Sequence, residues 1–335
     1  MVKKKITIRD IAKESGVSVA TVSRYINKVS YTSEETEKKI QKVLDEFNYT
    51  PNAIARGLAK QKSNAIAFVT PDITNPFFPE IVKSIESIAK KQGYSLLLIN
   101  TNENDLESTE FWNRLKSRYI DGFILAESDL SSEVRTHLDS LNIPFVRIDR
   151  AVNSDKDNSV SVNNYEGARL ATQHLIEVGC QKIAHISGPT SQFPALGRLK
   201  GYKSVMDAYG REVIVYQGGF TLDSGAKETE VLLRDHSDVD GIFYSNDLMA
   251  IGALRAFKKL GISIPKDVAI IGFDGIQLTE IVIPEISTIR QPIEKIGEIA
   301  TNNLINAIEN PDTEYSDNII LDVELIKRES TIRGK

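Results

Sequence analysis

Two short helical patterns separated by a glycine turn open this chain. The first begins at Thr7, whose hydroxyl can cap the helix while Asp10 reaches back to the backbone. Gly16 stands where this helix ends, because glycine adopts a positive φ without a steric penalty, and Ser18 can cap a second helix over residues 19–27. Two helices joined by a turn of about three residues predict a helix-turn-helix.

The exposed side of the second helix carries groups suited to nucleic acid. Val22 and Ile26 fall on its buried side, whereas hydroxyls, an amide and the guanidinium of Arg24 fall on the other. Such groups hydrogen-bond to phosphates and base edges. From these two helices alone, an ordinary amphipathic hairpin remains an alternative to a DNA-binding head.

Two further helices are predicted before residue 62. The segment 32–35 reads as a capping box, and Ile40, Val43 and Leu44 follow at helical spacing, so a third helix closes a three-helix core. Residues 52–60 form a capped pattern of about two turns, which is too short to be stable alone in water. We expect that helix to form only when something holds it.

Charge divides the chain in the same place. The whole sequence has a formal net charge of −5, which by itself argues against a nucleic-acid partner. Residues 1–62, however, hold 13 Lys and Arg against 7 Asp and Glu, which gives +6, and the remainder is −11. A basic module on an acidic domain favours a DNA reader with a separate regulatory domain, although a merely solvated Lys-rich N-terminus stays open.

From Asn64 onward, short β-branched runs alternate with helical segments. The first series of predicted strands lies at 65–69, 95–99, 122–125 and 145–148, and the second at 159–162, 182–186, 213–216, 241–244 and 268–271. This alternation predicts two parallel, doubly wound sheets. Many nucleotide-dependent enzymes share the same pattern.

Polar residues stand where these strands end. Ligands of such sheets bind beyond the carboxyl ends of the strands. An arginine and carboxylates can pair with vicinal hydroxyls, while aromatic faces cover a sugar ring. Each residue alone could be a turn or a helix cap, and Asp247 in particular reads as a cap for the helix that follows it. The polar candidates are Asp72, Asn75, Asp149, Arg150, Asn246, Asp247, Asp274 and Gln291, and the aromatic ones are Phe77, Phe78, Phe220 and Phe273, of which Phe273 equally fits the core.

The combination of motifs resembles the LacI/GalR family of transcriptional repressors over essentially the whole chain. Besides the head, the matching segments are 70–78 (TPDITNPFF), 197–202 (GRLKGY), 245–247 (SND), 272–274 (GFD) and 290–292 (RQP). The resemblance implies an all-α helix-turn-helix headpiece plus an α/β two-lobed periplasmic-binding-protein-like domain with doubly wound parallel sheets. It implies a headpiece over 1–50, a hinge helix and linker over 51–62, and an effector-binding and dimerisation domain over 63–335. The first lobe is expected over about 63–161 and 291–318, and the second over about 162–290 and 319–333.

The resemblance also implies a homodimer whose two heads bind a near-palindromic operator. Val19, Ala20 and Arg24 stand at the family's base-reading positions, where Arg24 carries most of the hydrogen bonding. Leu58, with Ala55, matches hinge residues that wedge into the minor groove, the alternative being a core role for Leu58. The DNA contacts expected are Thr7, Ser18, Val19, Ala20, Thr21, Ser23, Arg24, Asn27, Tyr49, Asn52, Ala55 and Leu58.

A small sugar is the effector that the resemblance implies. Periplasmic ribose-binding proteins share several of these motifs, which makes a pentose, with ribose first, the leading candidate, while fructose- and sucrose-type members have related pockets. Sugar between the lobes would shift the population toward a state with weaker operator binding, giving an allosteric repressor of carbohydrate-utilisation genes. The effector contacts expected are Asn75, Phe77, Phe78, Asp149, Arg150, Arg198, Phe220, Asn246, Asp274 and Gln291.

Two departures from relatives bear on partners. No leucine-heptad tail follows at the C-terminus, which favours a dimer over a tetramer. Asn302 stands where catabolite control proteins have an arginine for a phosphorylated carrier protein. That departure disfavours such a corepressor, but a carrier-protein or purine-type corepressor and a ligand-independent DNA binder remain alternatives.

The remaining features argue against other classes of protein. There is no Walker P-loop, Gly-x-Gly-x-x-Gly or Gly-x-Ser-x-Gly motif, and the four histidines lack metal-ligand spacing, so we expect neither an enzyme nor a metal or other cofactor. Cys180 is the single cysteine, so no intrachain disulfide can form. The sequence has no secretory signal and no apolar run of membrane-spanning length, and a cytoplasmic location is expected.

Overall fold

The computed structural model describes residues 6–27, 32–49, 62–101, 103–118, 120–126, 130–149, 158–312 and 318–333. They fall into two units, Met1–Ser63 and Asn64–Lys335. The segment 50–61 lies outside the described residues. The expected hinge helix, with Asn52, Ala55 and Leu58, therefore stays a prediction.

The first unit is a three-helix core. Its helices are α1 (Ile8–Ser15), α2 (Val19–Asn27) and α3 (Glu34–Glu46). Ile11, Val22 and Ile40, one from each helix, are fully buried against one another. The expected helix-turn-helix and the third helix are thereby confirmed.

Local capping explains where α1 and α2 begin. The amide of Asp10 donates to the Thr7 hydroxyl at 3.4 Å, and the Thr7 amide donates to the Asp10 carboxylate at 2.8 Å. Gly16 ends α1 with φ = 67°, and the Ser18 hydroxyl accepts from the Thr21 amide at 3.1 Å. The sequence-based caps of both helices are correct.

The capping box expected at residues 32–35 is wrong. Ser33 is the N-cap of α3, but its side chain accepts no backbone hydrogen bond. Its hydroxyl instead lies 2.9 Å from the Thr36 hydroxyl. A nearby side-chain partner has replaced the backbone amide, a competition to which Ser and Thr are prone.

The second unit holds two six-stranded sheets. The first comprises β1 (Ala65–Thr70), β2 (Ser95–Asn100), β3 (Gly122–Ala126), β4 (Phe145–Ile148), β5 (Ser159–Val162) and β11 (Asn318–Leu321). The second comprises β6 (Ile183–Ser187), β7 (Ile214–Gln217), β8 (Gly241–Tyr244), β9 (Ala269–Asp274), β10 (Ser287–Arg290) and β12 (Glu324–Ile326). Their orders are β11-β5-β4-β3-β1-β2, all parallel, and β12-β10-β9-β8-β6-β7, parallel except for the β10–β12 pair.

Helices cover these sheets, so strands such as β1 are buried on both faces. Ile66 and Phe68 pack in one apolar cluster, and Ala67 and Val69 pack in another with Trp112. The helices are α4 (Phe77–Lys91), α5 (Glu103–Leu106), α6 (Thr109–Ser117), α7 (Ser132–Leu141), α8 (Asn164–Glu177), α9 (Phe193–Ala208), α10 (Leu222–Asp235), α11 (Asp247–Leu260) and α12 (Ile293–Glu309). None of the helices in the described part is long and apolar enough to cross a bilayer.

The chain passes between the sheets at three places. It crosses from β5 to α8, from β10 to α12, and from β11 to β12. The structure places residues 319–321 in the first sheet, whereas they were assigned to the second lobe. The predicted fold class, a helical head followed by a two-lobed α/β domain with doubly wound sheets, is confirmed.

Candidate functional site

The candidate effector site lies at the carboxyl ends of the parallel strands. Asp149 directly follows β4, Asn246 follows β8 after one residue, and Asp274 ends β9. Gln291 follows β10 at a crossing between the sheets. Strand order brings these ends together, as expected for ligand sites in open α/β sheets.

Arg198 on α9 is the centre of this site. It is 3% exposed, and its Nε donates to the Asn164 side-chain oxygen at 2.8 Å. Its Nη1 donates to the Ser245 carbonyl and lies 3.5 Å from an Asp274 carboxylate oxygen. The guanidinium also lies 3.7 Å from the centroid of the Phe273 ring, so its plane is fixed from several sides.

Asp274 is held in an unusual backbone conformation beside Arg198. Its φ is 123°, and the Gln291 side-chain amide donates to its Oδ1 at 2.8 Å. Burial raises the pKa of Asp274 to about 7, against the opposing effect of the Arg198 charge. The Gln291 oxygen is buried and has no hydrogen-bond partner among the described residues.

Asp149 brings a second buried carboxylate from the first sheet. It is 4% exposed, with φ = 61°. Burial raises its pKa to about 6, and the Arg198 charge opposes that rise. Its Oδ1 has no hydrogen-bond partner in the part of the chain described, which leaves a strong acceptor available to a ligand.

Asp247 does not cap α11, as was expected; Asn246 does. The Asn246 oxygen accepts from the Met249 amide at 3.0 Å. Asp247 instead accepts from the amides of Gly275 at 2.7 Å and Ile276 at 3.0 Å, and from the Thr288 hydroxyl at 2.6 Å. Burial, then the nearby Asp274 charge, raise the pKa of Asp247. The carboxylate fixes the turn that follows Asp274.

Phe220 and Asn246 form a second group in the site. The Asn246 amide nitrogen donates to the Phe220 carbonyl at 3.1 Å. Phe220 has φ = 60°, and its half-buried ring lies over Gly188, where a Cβ atom would come within 2.2 Å of the ring. Only glycine at position 188 leaves room for this aromatic face.

The other predicted effector contacts lie elsewhere or outside the described residues. Asn75 accepts from the Phe77 amide at 3.2 Å, and the buried rings of Phe77 and Phe78 pack edge to face at 5.4 Å. These three follow β1, at the corresponding end of the first sheet. Phe273 is fully buried beneath the Arg198 guanidinium, so its ring belongs to the core and also supports the site. Arg150 lies outside the described residues.

Asn164 was missed by the sequence analysis. It is the first residue of α8, two residues after the end of β5, and its buried side chain accepts a hydrogen bond from the Arg198 guanidinium. Applying the strand-end rule to β5, as was done for its neighbours, would have found it. No cluster of three metal-ligating side chains was found within the described ranges.

The candidate DNA surface lies on α2. Ser18, Val19, Ala20 and Arg24 are exposed, whereas Thr21 and Ser23 are half-buried. The hydroxyls of Thr7 and Ser18 also serve as caps. The Tyr25 hydroxyl donates to the side-chain oxygen of Gln41 on α3 at 2.8 Å, and this bond links α2 to α3. Tyr49 follows α3 and is half-buried, and Asn27 ends α2.

Sequence models of two protein groups match the two units. One, described as bacterial regulatory proteins of the lacI family, matches residues 7–52. The other, described as periplasmic binding proteins and sugar binding domain of LacI family, matches residues 63–329. Together they cover the helical head and nearly the whole two-sheet domain.

Individual proteins are similar over the same length. A ribose operon repressor from Halalkalibacterium halodurans is 42% identical over 98% of both chains. A lac repressor dimer bound to operator and the anti-inducer ONPF has a TM-score of 0.87 at 28% identity, over 98% of this chain and 100% of that one. A LacI family regulator from Enterococcus faecium with bound ribose has a TM-score of 0.73 at 33% identity, over 81% of this chain and 100% of that one.

Proposed function

The chain belongs to the LacI family of bacterial regulators, and from that premise we propose that it represses carbohydrate-utilisation genes until a pentose binds between its lobes. It is a DNA-binding, sugar-responsive repressor that works as a homodimer on operator DNA. Ribose is the first candidate effector, in line with the name of the ribose operon repressor and the ribose bound to the Enterococcus faecium regulator. The relatives are repressors, and we propose that this chain acts without catalysis or a cofactor, in the cytoplasm where operator DNA lies.

The observation that carries the effector proposal is the buried cluster around Arg198. A planar guanidinium and two carboxylates, from Asp149 and Asp274, lie together with almost no exposure to solvent. Vicinal hydroxyls can donate to the carboxylates and accept from the guanidinium at the same time. The half-buried ring of Phe220 supplies an apolar face for the C–H side of a sugar ring.

The site draws on both sheets, which gives the effector a means of control. Asp149 follows a strand of the first sheet, whereas Asp274 ends a strand of the second sheet and Arg198 lies on the helix between two strands of that second sheet. A sugar that bonds to both groups favours the arrangement that brings them together. If operator DNA favours a different arrangement, each ligand weakens the binding of the other.

We propose the headpiece as residues 1–50, the hinge helix and linker as 51–62 and the effector domain as 63–335. The base contacts are those of α2, where Arg24 reads a base edge and Val19 and Ala20 make apolar contact to bases, and the other predicted contacts of the head and the hinge complete the DNA surface. Val19 is 42% exposed although it is aliphatic, as an apolar reader of a thymine methyl must be. Leu58 and Ala55 act from the hinge on the minor groove.

Calorimetry of the full chain against ribose, fructose and sucrose tests the proposal. We expect one sugar to bind, and we expect Arg198→Ala to abolish that heat. Arg255→Ala is the matched control, because this exposed arginine pairs only with the exposed Asp223 carboxylate among its described contacts, at 3.0 Å. Binding that survives Arg198→Ala, or no response to any sugar, would contradict the assigned effector site.

A further inference from the structure

Two buried oxygens of the effector cluster that can only accept hydrogen bonds are left without a partner, whereas the buried Ser245 hydroxyl, also without a partner among the described residues, can donate or accept. Asp149 Oδ1 and Gln291 Oε1 are both shielded from solvent and lack a hydrogen-bond partner among the described residues. An oxygen of this kind is costly to bury unless a donor meets it. A ligand that fills the site must therefore supply hydrogen-bond donors to these two oxygens.

The charges that face the cluster are mainly negative. Three carboxylates interact electrostatically with that of Asp274: Asp149 at the end of β4, Asp247 at the start of α11, and Glu80 in the first turn of α4. Arg198 is the cation that contacts this group in the described structure, and its Nε and Nη1 already donate to protein oxygens. Burial lowers the pKa of the neighbouring His185 to about 3, so that ring adds no positive charge.

We propose that the effector is an uncharged, unphosphorylated polyol, and that the cleft discriminates against the phosphate ester of the same sugar. This inference rests on the proposed function, because it takes the Arg198 cluster to be the effector site. A neutral sugar offers a hydroxyl hydrogen to Asp149 and another to Gln291.

A phosphate group lacks what these oxygens need. At neutral pH it carries about −1.5 to −2 charges and offers acceptor oxygens in place of donors. Beside Asp149 or Gln291, a phosphate oxygen would face another acceptor, and no hydrogen bond would form. The Asp149 and Asp274 carboxylates would also repel its negative charge, because little water reaches the site to screen the interaction. The positive charge of Arg198 offsets part of that repulsion, but its hydrogen bonds to Asn164 and Ser245 hold the guanidinium in place and limit its reorientation toward a phosphate.

The test compares a sugar with its own phosphate ester. The full chain is titrated calorimetrically with ribose and with ribose 5-phosphate, or with the matching pair for whichever panel sugar binds. We expect the free sugar to bind about a hundredfold more tightly than the ester. Thermal unfolding of each variant, measured beside the titrations, establishes that it is folded.

Asp149→Asn probes the source of the discrimination, because it keeps the shape of the side chain and removes its charge. We expect this variant to weaken sugar binding and to narrow the preference over the ester by about tenfold. Asp223→Asn is the matched control, since that carboxylate is 90% exposed and its partner is the surface residue Arg255. Both affinities should stay unchanged in the control.

The possible results separate this inference from the function on which it rests. An ester that binds the wild-type chain as tightly as the free sugar, or more tightly, overturns the inference and leaves a sugar-responsive repressor standing. A preference that Asp149→Asn leaves intact overturns the part given to that carboxylate. No binding of any sugar or ester, in a chain that still binds DNA, overturns the proposed effector itself.

Discussion

Acidification from pH 8 to pH 6 is expected to weaken effector binding about twentyfold. A hydroxyl donates most strongly to an ionised carboxylate, so protons and effector compete for Asp274 and Asp149. Burial raises the pKa of Asp274 to about 7 and that of Asp149 to about 6. At pH 6, protonation costs about tenfold in affinity at the first residue and about twofold at the second, and the two factors multiply.

Calorimetry at pH 8, 7 and 6, in pairs of buffers with different ionisation enthalpies, measures both the affinity and the protons released. We expect about 1.4 protons to leave the protein per effector bound near pH 6, about 0.9 from Asp274 and about 0.5 from Asp149. Asp274→Asn should reduce the pH effect to about twofold, because only Asp149 then titrates. An affinity that is independent of pH, with heats that do not depend on the buffer, would refute the reasoning.

Changes in folding stability with pH must be separated from this effect on affinity, and the pKa shifts give the direction expected for each group. Both carboxyls have folded-state pKa values above the unfolded one, so their contribution to stability is complete below about pH 4 and is lost as the pH rises through about 6 to 7. His174 and His185 have pKa values lowered by burial to about 4 and about 3, so their contribution is present above about pH 6.5 and declines on acidification. Unfolding temperatures measured without effector at each pH separate stability from affinity.

Three further changes test other parts of the reasoning. Leu58→Ala should weaken operator binding by more than about tenfold without lowering the unfolding temperature, and an unchanged dissociation constant at fixed salt would remove the hinge argument. Asp247→Ala should lower the free energy of unfolding by about 3 kcal/mol and remove most of the effector affinity, since the two amides after Asp274 lose their acceptor. Asp247→Asn can turn its side-chain oxygen toward these amides, so unfolding and calorimetric assays should show much of the stability and the affinity restored. Gly188→Ala should displace the Phe220 ring and weaken effector binding while DNA binding persists, and a normal sugar affinity would show that this ring does not cover the ligand.

Local signals made the head predictable from sequence. Thr7, Asp10, Gly16 and Ser18 act within four residues of their partners, so the short sequence pattern contains both members of each contact. Ser33 shows the limit of such reading, because its hydroxyl had two partners within reach and the sequence does not rank them. The same rule therefore succeeded at two helix starts and failed at the third.

Long-range contacts account for what was missed. Asp247 occupies a position typical of a cap, yet its partners Gly275 and Thr288 lie 28 and 41 residues away. β10, β11 and β12 were not predicted, and β12 is a three-residue edge strand that exists by pairing with β10. Strand ends were predictable because parallel topology collects them at one edge; the partners of each side chain there were not.

The positions of the cluster residues explain why an effector could move one lobe as a body. α12 packs closely on α4, and a Cβ at Gly297 would lie 2.7 Å from Ser84, so the helices of the first lobe have little freedom to slide. Gln291 lies at a crossing between the sheets and bonds to Asp274, while Asp149 is fixed to the first sheet through the bond from its amide to Val160. A ligand that draws Asp149 toward Arg198 therefore cannot be accommodated by a local shift of one side chain. We therefore propose that the displacement is taken up at the three crossings between the sheets, and that effector binding changes the relation between the lobes there.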